Sequence, residues 1–112
     1  MIEIRSYHYN PEKFDLYKKW AIEEAAPFLK ANLPVIGFWI DNGKAPELTG
    51  SDPTPHKHGV ANVTWIIDWE SEDARAKGFK DILGGDGWAD IWSRHPDADG
   101  YLQMEARFAE AL

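Results

Sequence analysis

Two histidines, His56 and His58, are one residue apart, a spacing that puts both imidazoles on one side of an extended chain. Neutral imidazole binds zinc, copper or nickel, and it also acts as a general base near neutral pH. A metal site needs a third protein ligand, for which Asp41 and Asp52 are the nearest candidates. A two-ligand pattern is a weak signal, and a solvated loop is the explanation that we favour. We therefore predict no metal and no cofactor, and assign His58 as a loop-borne base.

Arg5 near one terminus and Glu105 near the other form a second group with chemical potential. A guanidinium enclosed in a cavity can bind a ligand carboxylate through two parallel hydrogen bonds. The alternative is an ion pair between Arg5 and Glu105 that fixes the sheet or a dimer, as charge networks in proteins often do. In the first interpretation Arg5 belongs with His58 in a catalytic site.

The elements that position these residues are marked by alternation. Residues 59–69 are rich in Val, Ile, Thr and Trp and alternate between an apolar face and a mixed face, which predicts a central strand. Similar alternation predicts strands over residues 2–9, 35–41 and 101–108. In the first of these we assign Ile2 and Ile4 to the core, and Arg5 and Tyr7 to the opposite face.

Two helical segments separate these strands. Asn10 as N-cap and Pro11 at the first helical position predict one start, and Ser71 caps the second helix. Pro27 lacks an N–H, so we expect a weakened turn near Glu23. The first helix has a buried stripe, which comprises Phe14, Tyr17, Ala21, Ala25 and Phe28, with Trp20 placed outside it.

The order strand, helix, strand, strand, helix, strand predicts an α+β protein, a ferredoxin-like βαββαβ sandwich with a four-stranded antiparallel sheet. Both helices would cover one sheet face. The other face would pack against a second copy around a polar cavity, forming a homodimer. That face would hold Arg5, Tyr7, Trp39, Asn62, Thr64, Ile66, Gln103, Glu105 and Arg107.

Length and composition narrow the functional class. The 112 residues suit one domain spanning 1–112, and the absence of cysteine excludes disulfides and thiolate chemistry. A net charge of −7 without a basic stripe argues against nucleic acid as partner. No signal or membrane segment is visible, so we expect no membrane partner and a cytoplasmic location. The Pro- and Gly-containing stretch 42–58 is expected to be a functional lid or a disordered tip.

Short motifs resemble the NIPSNAP family. Residues 1–7, MIEIRSY, are similar to its first strand, and residues 23–29, EEAAPFL, to its proline-interrupted helix end. Residues 36–39, IGFW, and the pair Gly87-Trp88 are similar to its second strand and second helix. The resemblance spans most of the chain and implies a dimeric α/β barrel. Relatives in that group include cofactor-free monooxygenases and isomerase-like proteins, while the family itself has no agreed activity.

Two functional hypotheses follow. In one, the homodimer binds a small aromatic or acidic molecule, with cofactor-independent monooxygenase or isomerase-like chemistry. His58 and Arg5 would be catalytic, and the ligand-binding residues would be Tyr7, Trp39, Asn62, Thr64, Gln103 and Glu105. In the other, the helix-free sheet face is only a dimer interface, and the protein is a non-catalytic interaction module.

Overall fold

A four-stranded antiparallel sheet forms one layer of the protein. The computed structural model describes all 112 residues. The strands are β1 (Ile2–Tyr9), β2 (Val35–Ile40), β3 (Val63–Asp68) and β4 (Tyr101–Ala109), in the order β2-β3-β1-β4. Central strand β1 pairs antiparallel with both β3 and β4. This topology confirms the predicted ferredoxin-like βαββαβ arrangement.

The first helical segment is continuous but changes its winding in the middle. A 3-10 turn (Pro11–Lys13) leads into α1 (Phe14–Trp20), a π-helical stretch (Ala21–Ala25) and α2 (Ala26–Asn32). Pro27 has no N–H to offer the preceding turn, so the regular hydrogen-bond ladder is interrupted there. The weakened turn predicted from this proline is confirmed.

The second helical segment repeats the design without a proline. It comprises α3 (Glu72–Gly78), a π-helical stretch (Phe79–Leu83) and α4 (Asp86–Trp92). The N–H of Gly84 donates to the carbonyl of Phe79 at 2.9 Å, which closes the wide turn. Gly84 and Gly85 therefore separate the π-helical stretch from α4.

Predicted helix boundaries are confirmed at both starts. The Asn10 side chain accepts a hydrogen bond from the Glu12 N–H at 3.0 Å. The Ser71 hydroxyl accepts one from the Ala74 N–H, also at 3.0 Å. Each cap satisfies an N–H that has no partner inside the helix.

Strand β1 turns its faces the opposite way from the prediction. Glu3, Tyr7 and Tyr9 are buried under the helices, whereas Ile2 and Ile4 lie on the helix-free face. The assignment of Arg5 and Tyr7 to the helix-free face is therefore wrong. Two tyrosine rings bury more apolar surface than two isoleucines. Because alternate residues of a strand share a face, Glu3 and Arg5 point inward together with Tyr7 and Tyr9.

Irregularities in the edge strands shift two other faces. The β2–β3 register slips at Ile36, so Val35 lies opposite Ile67 while Ile36 is 59% exposed. A second slip places Tyr101 opposite Tyr9, on the helix side of the sheet. Each bulge adds a residue and reverses the alternation beyond it.

The helix layer is held to the sheet by aromatic packing that includes Trp20. Its ring is 6% exposed, and its indole N–H donates to the Ile91 carbonyl at 3.0 Å. The prediction that Trp20 lies outside the buried stripe is wrong, because the wide π turn and the neighbouring α4 enclose this edge of the helix.

None of the helices has the length and apolar character that crossing a bilayer requires.

A long irregular segment connects β2 to β3, and Asn62 anchors its end. The Asn62 side chain accepts from the Tyr9 N–H at 2.9 Å and donates to the Tyr9 carbonyl at 2.8 Å. These two hydrogen bonds resemble those between the backbones of paired strands, so the pairing with β1 continues beyond Val63. One N–H and one oxygen lone pair of the amide are thus used by the backbone of β1.

We expect Asn62→Ala to lower the free energy of unfolding by about 2 kcal/mol, because the Tyr9 N–H and C=O lose their buried partners. Urea denaturation measures this loss. The control is Asn42→Ala, which removes one exposed loop hydrogen bond to Lys44 and should cost less than about 0.5 kcal/mol. Equal losses in both variants would contradict the anchoring role.

Candidate ligand cavity

A cavity of about 170 Å³ lies between the sheet and the helices. Strands β1, β2, β3 and β4 provide its floor, and the two helical segments provide its walls. Most of its lining is aromatic or aliphatic. The lining residues are Arg5, Tyr7, Tyr17, Trp20, Ala25, Leu29, Phe38, Trp65, Leu83, Trp88, Trp92, Tyr101 and Met104.

The size and surroundings of the cavity suit a single-ring molecule. An apolar cavity of about 150 Å³ is large enough for benzene. Met104 is 47% exposed and Trp92 is 39% exposed although both line the cavity. The cavity therefore approaches the surface beside these two side chains.

The polar floor of the cavity is a hydrogen-bonded row on β1 and β3. Arg5 donates through Nη1 to Glu3 Oε2 at 2.6 Å and through Nε to the Tyr7 hydroxyl at 2.7 Å. The Trp65 indole N–H donates to the same hydroxyl at 3.0 Å. The predicted Arg5–Glu105 pair is wrong, because Glu3 lies on the face of Arg5 and Glu105 lies on the other face.

Glu3 is fully buried and holds two arginines. Arg75 donates through Nε to Glu3 Oε1 at 2.7 Å, and the Trp69 indole N–H donates to the same oxygen at 2.8 Å. Burial raises the pKa of Glu3, but the hydrogen bonds from Arg75, Trp69 and Arg5 together outweigh it, and the net pKa is lowered. Glu3 is therefore a carboxylate at neutral pH.

The buried cluster carries an excess of positive charge. One carboxylate on Glu3 faces the guanidinium groups of Arg5 and Arg75, which leaves a formal charge of −1 + 1 + 1 = +1. The remaining neighbour, Glu72, is 3.8 Å from Arg75 and 71% exposed, so water screens its contribution. This end of the cavity therefore favours a ligand with negative or partly negative charge.

Two further tyrosines and a histidine line or flank the opposite side. The Asp97 N–H donates to Nδ1 of His95 at 3.1 Å, so the neutral ring has its hydrogen on Nε2 and donates to the Tyr101 hydroxyl at 2.9 Å. Burial lowers the pKa of His95 and raises the pKa values of Tyr17 and Tyr101. All three groups are consequently uncharged at neutral pH.

The predicted site residues separate into two groups. Arg5 and Tyr7 line the cavity. Four others lie on the helix-free face or at its edge, away from this cavity: Trp39, Thr64, Gln103 and Glu105. The cavity expected between two copies on that face stays a prediction, whereas Arg5 and Tyr7 line a different cavity, because β1 presents them to the helices.

His58 lies in the β2–β3 connection, beside the helix-free face. Its ring centroid is 6.1 Å from that of His8, and the His56 ring stacks on His8 at 4.1 Å. His8 lies on the central strand β1 and is 7% exposed. Nowhere do three or more His, Asp or Glu side chains form a group able to hold a metal ion. His58 does not line the cavity that contains Arg5.

Sequence reasoning missed most of the cavity wall. Trp65, Trp88, Trp92 and Tyr101 line the cavity, yet none of them is among the ligand-binding residues predicted from the sequence. The signal that would have found them is the density of large rings, since the chain has six tryptophans and four tyrosines.

The fold and the cavity define an α+β protein of ferredoxin-like architecture with one aromatic-walled site under its helices. Solved NIPSNAP proteins share this fold. An uncharacterized NIPSNAP domain protein from Burkholderia xenovorans superposes with a TM-score of 0.71 at 14% identity, covering 99% of this chain and 93% of that one. A NIPSNAP family protein from Agrobacterium tumefaciens gives a TM-score of 0.69 at 19% identity, covering 95% and 80%.

A more distant structural neighbour is a putative antibiotic biosynthesis monooxygenase from Bacteroides thetaiotaomicron. Its TM-score is 0.58 at 14% identity, and the match covers 100% of this chain and 89% of that one. No protein-family model matches the sequence, and no curated protein matches it significantly. The resemblance to NIPSNAP proteins is confirmed at the level of the fold.

We expect Glu3→Gln to destabilise the protein by on the order of 3 kcal/mol, because the two partly buried guanidinium groups of Arg5 and Arg75 lose their counter-charge. Since the pKa of Glu3 is lower folded than unfolded, its contribution is present above about pH 4.3 and lost as the pH falls further. Chemical denaturation at pH 7 and pH 3.5 measures both effects. Glu105→Gln is the control and should change stability by less than about 0.5 kcal/mol. A larger loss of stability in Glu105→Gln than in Glu3→Gln would instead favour Glu105 as the partner of Arg5.

Proposed function

We propose that this protein is a homodimer that binds a small aromatic molecule with negative or partly negative charge in the cavity between sheet and helices. The observation that supports this function most is the coincidence of an aromatic-walled cavity with Arg5 and the Tyr7 hydroxyl on its floor. Ligand sites are typically apolar clefts with a few convergent polar groups. The ligand ring would contact tryptophan faces, and its polar atom would approach β1.

The polar floor supports binding because it is already assembled without a ligand. Arg5 is fixed at both ends of its guanidinium by Glu3 and Tyr7. The side chain therefore loses little conformational entropy on binding, which favours affinity. Cofactor-independent oxygenation or isomerisation of the bound ring is the chemistry we propose to test, by liquid chromatography and mass spectrometry of the ligand after incubation in air. In oxygenation one atom of O2 would enter the ring and the other would leave as water, reduced by two electrons from the substrate, whereas an isomer would keep its mass and change its retention time.

The helix-free face supports the homodimer. It exposes Trp39 at 48%, and Ile2, Ile4 and Ile66 are only half-buried there. A Cβ atom at Gly37 would overlap the Trp39 ring, so glycine lets this ring lie across the strand. The structure measures 44 × 37 × 19 Å, and so thin a two-layer body leaves one sheet face uncovered. A second copy packed on that face would bury these side chains.

We expect Met104→Trp to reduce binding of single-ring compounds at least tenfold, because the larger ring closes the cavity where it approaches the surface. Thermal-shift and fluorescence titrations with benzoate, acetophenone and ethylbenzene measure binding. The control is Leu102→Trp, at a residue of β4 that is 44% exposed and does not line the cavity. If wild-type protein binds none of these compounds, the ligand-binding function is wrong, and the interaction module is favoured.

We expect Trp39→Glu to convert the dimer to a monomer, because the substitution would bury a charge in the interface. Sedimentation velocity measures the change. Ile22→Glu is the control, since Ile22 is similarly exposed at 54% but lies in the first helical segment. A monomeric wild-type protein at micromolar concentration, or a dimer that tolerates Trp39→Glu, would contradict the sheet-to-sheet assembly.

A further inference from the structure

The Tyr7 hydroxyl at the cavity floor has both of its acceptor positions occupied. A phenolic oxygen offers two lone pairs and one hydrogen. Arg5 Nε donates to it at 2.7 Å, and the Trp65 indole N–H donates at 3.0 Å. The hydroxyl can therefore form a further hydrogen bond only as a donor. No acceptor of this chain receives its hydrogen, although Tyr7 is only 5% exposed.

The other polar groups of the cavity also lack a free negative charge. The guanidinium of Arg5 has donors only. Burial raises the pKa values of Tyr17 and Tyr101, which keeps both phenols protonated. The Tyr101 oxygen already accepts from His95 Nε2. No carboxylate lines the cavity, since Glu3 stands behind Arg5 and is saturated by its own donors.

We propose that the ligand is a single-ring compound whose ring bears a bare acceptor oxygen, a carbonyl or a deprotonated oxygen, directed at the Tyr7 hydroxyl. This inference rests on the proposed ligand-binding function and specifies its substrate class. The two N–H bonds that Tyr7 accepts polarise its O–H and strengthen it as a donor. The positive charge of the Glu3, Arg5 and Arg75 cluster favours the same oxygen. A ligand hydroxyl cannot donate its hydrogen to Tyr7, because both lone pairs of the Tyr7 oxygen are occupied.

Three probes of similar shape test whether the ligand needs a bare acceptor oxygen. Acetophenone has a carbonyl acceptor, 1-phenylethanol has a hydroxyl that is both donor and acceptor, and ethylbenzene has neither group. We expect acetophenone to bind wild-type protein about tenfold more tightly than ethylbenzene, the ratio that one buried hydrogen bond supplies. Tyr7→Phe should remove most of this preference. Tyr9→Phe is the control, because Tyr9 is buried and donates to the Asp97 carbonyl outside the cavity.

The infrared carbonyl stretch of bound acetophenone tests the contact directly, without relying on the folding of a variant. We expect it at lower wavenumber than in an apolar solvent, as hydrogen bonding to a carbonyl requires. Equal affinities for acetophenone and ethylbenzene, or an unshifted carbonyl stretch, would overturn the inference while leaving the ligand cavity in place. Failure of all three probes to bind would remove the proposed function and this inference together.

Discussion

A single buried carboxylate organises one end of the molecule. Glu3 accepts hydrogen bonds from Arg5 on its own strand, from Arg75 on the second helical segment and from the Trp69 indole that follows β3. A carboxylate removed from water is tolerable only with such partners. Its inward direction also sets the parity of β1, so that Arg5 and Tyr7 face the helices. The Arg75 guanidinium in turn lies over the Phe79 ring at 4.4 Å, which joins the ionic cluster to the aromatic core.

Aromatic packing explains why a cavity exists beside that cluster. The Phe38 ring stacks on Trp65 at 5.6 Å, and Trp20 meets Trp92 edge to face at 5.9 Å. Rigid rings in these geometries leave gaps that flexible aliphatic chains would fill. Ala25, in the π-helical stretch, contributes only a methyl group to the wall. Small and large side chains thereby produce a partly open, mostly apolar space with polar groups at its floor.

The two faces of the sheet differ in what they carry. The helix side holds the cavity, while the helix-free side carries half-buried isoleucines and the exposed Trp39. The β2–β3 connection contacts the helix-free side at His8 of β1. The Nε2 of His8 donates to the carbonyl of Gly59, which lies in the connection, at 3.1 Å. Burial lowers the pKa of His8, which keeps this contact uncharged. The proposed ligand site and the proposed interface therefore lie on opposite faces of the sheet.

The sequence alone determined the element order, because alternation, the caps at Asn10 and Ser71 and the proline at position 27 are local signals. It also marked Arg5 and Tyr7 as site residues. It did not determine which way they point. Isoleucine or tyrosine can supply the buried face of β1, and only packing against the helices and the partners of Glu3 decide its parity. The slips at Ile36 and Tyr101 set the faces of β2 and β4. The cavity itself belongs to tertiary structure, since its lining comes from all four strands and both helical segments, and their mutual fit is a property of packing that no local pattern encodes.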